Sequence, residues 1–271
     1  MISVFKGLLN SILLFVLASL PLINITVEAI ESVSNSYSCG MHLVYRSREQ
    51  GKNQLLYQRY AEGQWSGSDL IHSNSVGLSY VATTTSDAEG NLLVVWVEDS
   101  GGLSQLMYRV KSLSGKWLTG SRQLTVSKGE KTQPLLIRSI SGQVFLIWTS
   151  DERGNDDVFF ASWKLDIGWS DTQVLSADNV FPDISPMFDY SQNIDSSYDL
   201  NVRWNASSGD GIYVQEQVII ETNMALMPEQ EFSIEQCTKE LAGVVLPVTL
   251  RSGFVHLPQL GLNSYQRIRN R

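Results

Sequence analysis

The feature that most restricts how this 271-residue chain can fold is an internal repeat of about 52 residues. One copy reads Leu92-Leu93-Val94-Val95-Trp96-Val97-Glu98-Asp99, then Gly101-Gly102, Leu106-Met107-Tyr108-Arg109 and Ser114-Gly115-Lys116-Trp117. The next reads Val144-Phe145-Leu146-Ile147-Trp148-Thr149-Ser150-Asp151, then Gly154-Asn155, Val158-Phe159-Phe160 and Asp166-Ile167-Gly168-Trp169. An earlier copy runs His42-Leu43-Val44-Tyr45-Arg46, Gly51-Lys52-Asn53, Leu55-Leu56-Tyr57 and Glu62-Gly63-Gln64-Trp65. Tyr45, Trp96 and Trp148 are spaced by 51 and 52 residues, and Trp65, Trp117 and Trp169 by 52 and 52. A weaker fourth copy holds Asn201-Val202-Arg203-Trp204 and Ile212-Tyr213-Val214, and Arg251-Ser252-Gly253-Phe254-Val255-His256 resembles the start of a fifth.

Within each copy, β-branched and aromatic runs alternate with Gly, Asn and Asp turns such as Glu89-Gly90-Asn91 and Ser141-Gly142-Gln143. That is the pattern of short strands joined by hairpins, four to a copy, the first entering through segments such as Val81-Ala82-Thr83-Thr84 or Leu135-Leu136-Ile137-Arg138. Helical periodicity is lacking; residues 224–241 are the one stretch that could hold a helix, and Pro228 limits it. A lone four-stranded sheet cannot bury both faces, whereas sheets stacked around an axis cover one another. The expected fold is therefore all-β: a small β-propeller of four to five four-stranded blades. A β-sandwich or an open solenoid is the alternative. The expected organisation is a leader over residues 1–29 and a propeller over 30–271, with repeats near 42–91, 92–143, 144–198 and 199–250 and a partial one over 251–271.

These residues resemble the BNR or sialidase-like propeller repeats of exported bacterial proteins. The closest match is Trp148-Thr149-Ser150-Asp151-Glu152-Arg153-Gly154-Asn155-Asp156-Asp157-Val158-Phe159. The family's Asp-box turn is degenerate here, as Glu62-Gly63-Gln64-Trp65, Ser114-Gly115-Lys116-Trp117 and Asp166-Ile167-Gly168-Trp169. The resemblance implies that Trp65, Trp117 and Trp169 are packing residues of blade turns. It specifies a fold rather than an activity. Tachylectin-like and fucose-binding lectin propellers share the period.

Composition narrows the partners. A net charge of −8 with no basic run gives no purchase on phosphate backbones, so nucleic acid is not an expected partner. At the N-terminus, Lys6 precedes an apolar stretch over 8–25, and Val27 and Ala29 stand where a signal-peptide cleavage site needs small residues. The expectation is export to the periplasm or outside the cell, with a membrane contact only if this segment is retained as an anchor. Cys39 and Cys237 form one disulfide or remain two separate thiols. Neither they nor His42, His72 and His256 have metal-ligand spacing, and no metal or cofactor is expected.

Catalytic chemistry is hard to find. A sialidase-like site, as the resemblance implies, needs three convergent arginines, and Arg46, Arg59, Arg109, Arg138, Arg153 and Arg203 stand in no diagnostic context. Glu98, Asp99, Asp151 and Glu152 recur after the second strand of successive copies, which points to turn chemistry rather than to a glycosidase carboxylate pair. The acidic loop over 151–157 lacks EF-hand order and reads as a surface turn. The sequence thus leads to the expectation of a non-catalytic propeller that binds a glycan or protein ligand through loops on one face, with Arg46, Asp99, Asp151 and Arg153 as contacts and no catalytic residue. A sialidase-like or other glycoside hydrolase on a reduced propeller and an envelope scaffold are the alternatives.

Overall fold

The structure is a computed structural model. It describes residues 30–31, 41–49, 52–61, 64–74, 78–100, 102–176, 181–195, 197–207, 213–224, 254–256 and 265–267. The leader, Cys39, Cys237 and nearly all of the helix candidate lie outside the described residues; Met224 ends a strand.

The fold is all-β, a propeller whose described residues form four consecutive antiparallel blades. Blade 1 holds β2 (Met41–Glu49), β3 (Lys52–Ala61), β4 (Gln64–Trp65) and β5 (Asp69–Asn74). Blade 2 holds β6 (Leu78–Ser86), β7 (Leu92–Ser100), β8 (Leu103–Lys111) and β9 (Arg122–Gln123), in that order across the sheet. Blade 3 holds β10 (Lys131–Arg138), β11 (Val144–Ser150), β12 (Asp157–Lys164), β13 (Gly168–Trp169) and β14 (Gln173–Val174). Blade 4 holds β15 (Asp183–Gln192), β16 (Tyr198–Ser207) and β17 (Tyr213–Met224). A small separate sheet joins β1 (Ile30–Glu31), β18 (Phe254–His256) and β19 (Tyr265–Arg267).

The apolar runs of the central strands follow from this stacking. Side chains alternate between the two faces of a strand, and here both faces are covered. In β7, Leu92, Val94 and Trp96 pack with Val44, Leu55 and Ile71 of blade 1. The intervening Leu93, Val95 and Val97 pack with Leu146, Trp148 and Phe159 of blade 3. In β11, Phe145 and Ile147 turn the other way, onto Leu200, Val202 and Trp204 of blade 4. A strand sandwiched in this manner has no solvent side, so it carries no alternating polar residues.

The registered tryptophans occupy matching places. Trp65, Trp117 and Trp169 lie opposite Tyr60, Lys111 and Trp163 at the end of each third strand. Trp117 meets Tyr57 of the preceding blade edge-on at 6.3 Å, and Trp169 meets Tyr108 of its preceding blade at 6.2 Å. The Gly-x-Trp turns are packing elements between blades. The outermost strand departs from the expected simple strand. It pairs for two residues at the turn, leaves, and pairs again as β14 in blade 3 or β5 in blade 1.

The innermost strands of blades 3 and 4 share a bulge. Register shifts occur between Thr132 and Leu135 and between Ile184 and Met187. Gln133 and Ser185 adopt φ of 52° and 57° there, each immediately before a proline. The bulge sets the first residue of each strand, Lys131 and Asp183, at the same end of its blade.

Candidate active site at the blade 3–4 rim

The loops joining second to third strands, and those entering each new blade, meet at one end of the molecule, the rim. Asp99 lies there in blade 2, exposed, its carboxylate accepting the Gly102 amide at 3.1 Å. Asp151 is exposed in the equivalent loop of blade 3 and accepts the Glu130 amide at 2.6 Å, while its carbonyl closes the turn to Gly154. Arg153, in the same loop, is ion-paired with Asp157 at 3.6 Å. Arg46 is half-buried in β2, paired in register with Leu55. Asp151 and Arg153 thus share one loop, Asp99 belongs to the neighbouring blade, and Arg46 to the blade beyond. Among the described residues, no three of His, Cys, Asp or Glu gather into a metal-holding group.

Two ionisable residues that the sequence did not single out dominate this rim. The first is Lys131. Its ammonium is wholly buried and donates to the carbonyls of Ser127, Lys128 and Gly129 at 2.9–3.0 Å. Glu152 completes the cage at 3.3 Å and is itself bonded to Ser127. The cation therefore locks the loop entering blade 3 against the blade 3 hairpin. Gly129 makes the close approach possible: at φ +100°, an added Cβ would stand 2.6 Å from the Glu152 amide nitrogen.

The second is Asp183, at the register position in blade 4 that Lys131 holds in blade 3. It is 1% exposed, and among the described residues neither carboxylate oxygen receives a hydrogen bond of good geometry. Burial pushes its carboxyl from the ordinary 3.8 up to about 6, with the charges of Glu216 and Asp157 adding, while Ser176 and Trp204 ease it only in part. Asp157 is also buried, but Arg153 faces it and Ser176 donates to it at 3.1 Å. Asp156, whose carbonyl accepts the Asp183 amide at 2.6 Å, is likewise raised, by burial and then by Asp151. The site therefore combines one carboxyl that retains its proton up to about pH 6 with another held in an ion pair. Buried acids with a strongly perturbed proton affinity and no counter-ion are candidates for chemistry. The signal in the sequence was the pair Gln133-Pro134 and Ser185-Pro186, 52 residues apart, which aligns Asp183 with Lys131.

The fold has solved counterparts. An α-L-arabinanase of Penicillium chrysogenum complexed with arabinobiose matches at a TM-score of 0.47 and 14% identity, over 77% of this chain and 65% of that one. An α-L-arabinofuranosidase of Fusarium graminearum with an iminosugar inhibitor matches at 0.49 and 12%, over 75% and 69%. A NanB sialidase variant of Streptococcus pneumoniae matches at 0.40 and 11%, over 67% and 29%. This chain thus spans less than two thirds of the arabinanase. No family model and no curated protein matches the sequence. At these identities the likeness is one of fold. The expectation of a non-catalytic binding propeller is nevertheless corrected: the solved propellers named here are enzymes that act on glycans, which is the glycoside hydrolase alternative.

Proposed function

We propose that this chain is an exported glycoside hydrolase whose chemistry takes place at the blade 3–4 rim. The observation that carries the proposal is the buried carboxyl of Asp183, which has no counter-ion and no well-formed hydrogen bond among the described residues. Glycosidic bond cleavage needs two carboxyl groups in different protonation states. Asp183, protonated up to about pH 6, is the general acid that protonates the leaving oxygen. Asp157, steadied by Arg153 and Ser176, is the charged partner that attacks the anomeric carbon or activates water. Asp151 and Arg153, on the adjoining loop, are proposed glycan contacts. Arabinofuranosides are the first substrates to try, because the matched fungal proteins are named for acting on them.

The test is hydrolysis of a panel of aryl glycosides and arabino-oligosaccharides by wild type and Asp183→Asn. Loss of the acid is expected to lower kcat about 10²–10⁴-fold on substrates with poor leaving groups. It should cost far less on a dinitrophenyl glycoside, whose leaving group needs no proton. Retention of configuration would assign Asp157 as nucleophile and inversion as base. Full activity of the variant on poor leaving groups would refute the proposal.

A further inference from the structure

The opposite end of the blades carries a concavity. A groove of about 510 Å³ lies between the outer edge of blade 2 and the last turn of blade 3. That volume is within the roughly 300–1,000 Å³ of small-ligand sites. Tyr108, Trp163 and Trp169 wall it, Arg122 and Gln123 form one lip, and Asp166 stands on the other. Strand β12 runs from Asp157 at the rim to Lys164 at this turn, so at about 3.3 Å per residue the groove is about 20 Å from the rim carboxylates.

The repeat provides an internal comparison. In the equivalent cleft between blades 1 and 2, the protein fills the space with its own cations. Lys111 Nζ lies 4.9 Å from the Tyr57 ring and 4.6 Å from the Trp117 ring, and is ion-paired with Asp69. Arg109 stacks over Trp117 at 4.3 Å. Between blades 2 and 3 the register puts Trp163 in the place of Lys111, since each lies opposite the turn tryptophan. Ala161, 52 residues on, replaces Arg109. Arg122 replaces Asp69, since Tyr57 pairs with Asp69 and Tyr108 with Arg122. The internal cations are gone, the aromatic walls remain, and the lip has changed from acid to base. Arg122 is exposed and forms no ion pair among the described residues.

We infer that this groove is a binding site for an acidic saccharide, a uronic acid unit of a polysaccharide, separate from the catalytic rim. A sugar ring lies against the half-buried Trp169 and Tyr108, its carboxylate pairs with the Arg122 guanidinium, and its hydroxyl groups donate to Asp166 on the far lip. Asp166 keeps the carboxylate on the Arg122 side. A compact volume with flat aromatic walls suits one or two rings better than an extended peptide.

The test is calorimetric titration with oligogalacturonate, a neutral arabino-oligosaccharide of equal length, and poly-glutamate. Oligogalacturonate should bind best, weaken with salt, and lose about tenfold or more in affinity in Arg122→Gln. Trp169→Ala should lose it too, while Asp183→Asn should bind as wild type does. Arg122 is exposed, so its variant should melt as wild type does, and a changed Tm would be seen directly. Equal binding of the neutral sugar, binding of poly-glutamate alone, unaltered affinity in Arg122→Gln, or no binding at millimolar ligand would each overturn the assignment. Because Asp183→Asn leaves this site intact, its failure and that of the rim chemistry are read separately.

Discussion

The Asp183 carboxyl should leave a signature in folding stability. Its native form binds a proton more tightly than its unfolded form does, about 6 against 3.8. The stabilisation from that difference is full below about pH 3.8 and is lost as pH rises through about 6. At about 1.4 kcal/mol for each tenfold change in proton affinity, the whole effect is about 3 kcal/mol, of which about 2 kcal/mol falls between about pH 4.5 and 7.5. Asp183→Asn stays neutral throughout and cannot titrate. Urea unfolding of both proteins across that interval should show wild type losing about 2 kcal/mol relative to the variant. Other titrating groups, such as His42, which burial lowers to about 4 with Arg59 and Lys111 adding, cancel in the difference. Parallel pH profiles for the two proteins would refute the reasoning, because a solvated or well-bonded aspartate would give them.

Two further outcomes follow from the loop entering blade 3. Lys131→Met keeps the apolar stem but strips three carbonyls and Glu152 of their donor, and should cost about 3–5 kcal/mol, a drop in Tm of about 10 °C for a domain of this size. A loss under about 1 kcal/mol would mean that the cage is open to water. Gly129→Ala drives a Cβ into the Glu152 backbone at a φ that disfavours alanine, and should cost about 2 kcal/mol or more and expose this loop to limited proteolysis. A protease-resistant, unchanged variant would contradict the close approach.

The architecture was legible because the same physics repeats along the chain. Each blade must present two apolar faces, so Val94-Val95-Trp96 and Leu146-Ile147-Trp148 recur as unbroken hydrophobic runs, and the turn tryptophans recur where neighbouring blades touch. The split outer strands were not legible, because pairing of two residues leaves no period to detect. The rim carboxyl was hidden for a related reason. Asp99 and Asp151 recur and therefore drew attention, and both satisfy backbone amides. Asp183 breaks the repeat, standing where the previous blade has a caged lysine, and departure from a repeat is visible only once register is known. Likewise, the exchange of Lys111 and Asp69 for Trp163 and Arg122 is silent in sequence and becomes a change of charge only in the folded cleft.

The most direct test of the rim is a carbon-13 titration of the aspartate carboxyl groups, with Asp183 assigned by its absence from Asp183→Asn. A midpoint near about 6 is expected for that carbon. A midpoint at or below its ordinary 3.8 would mean that water or a hydrogen bond reaches the group, and the general acid would have to be sought elsewhere.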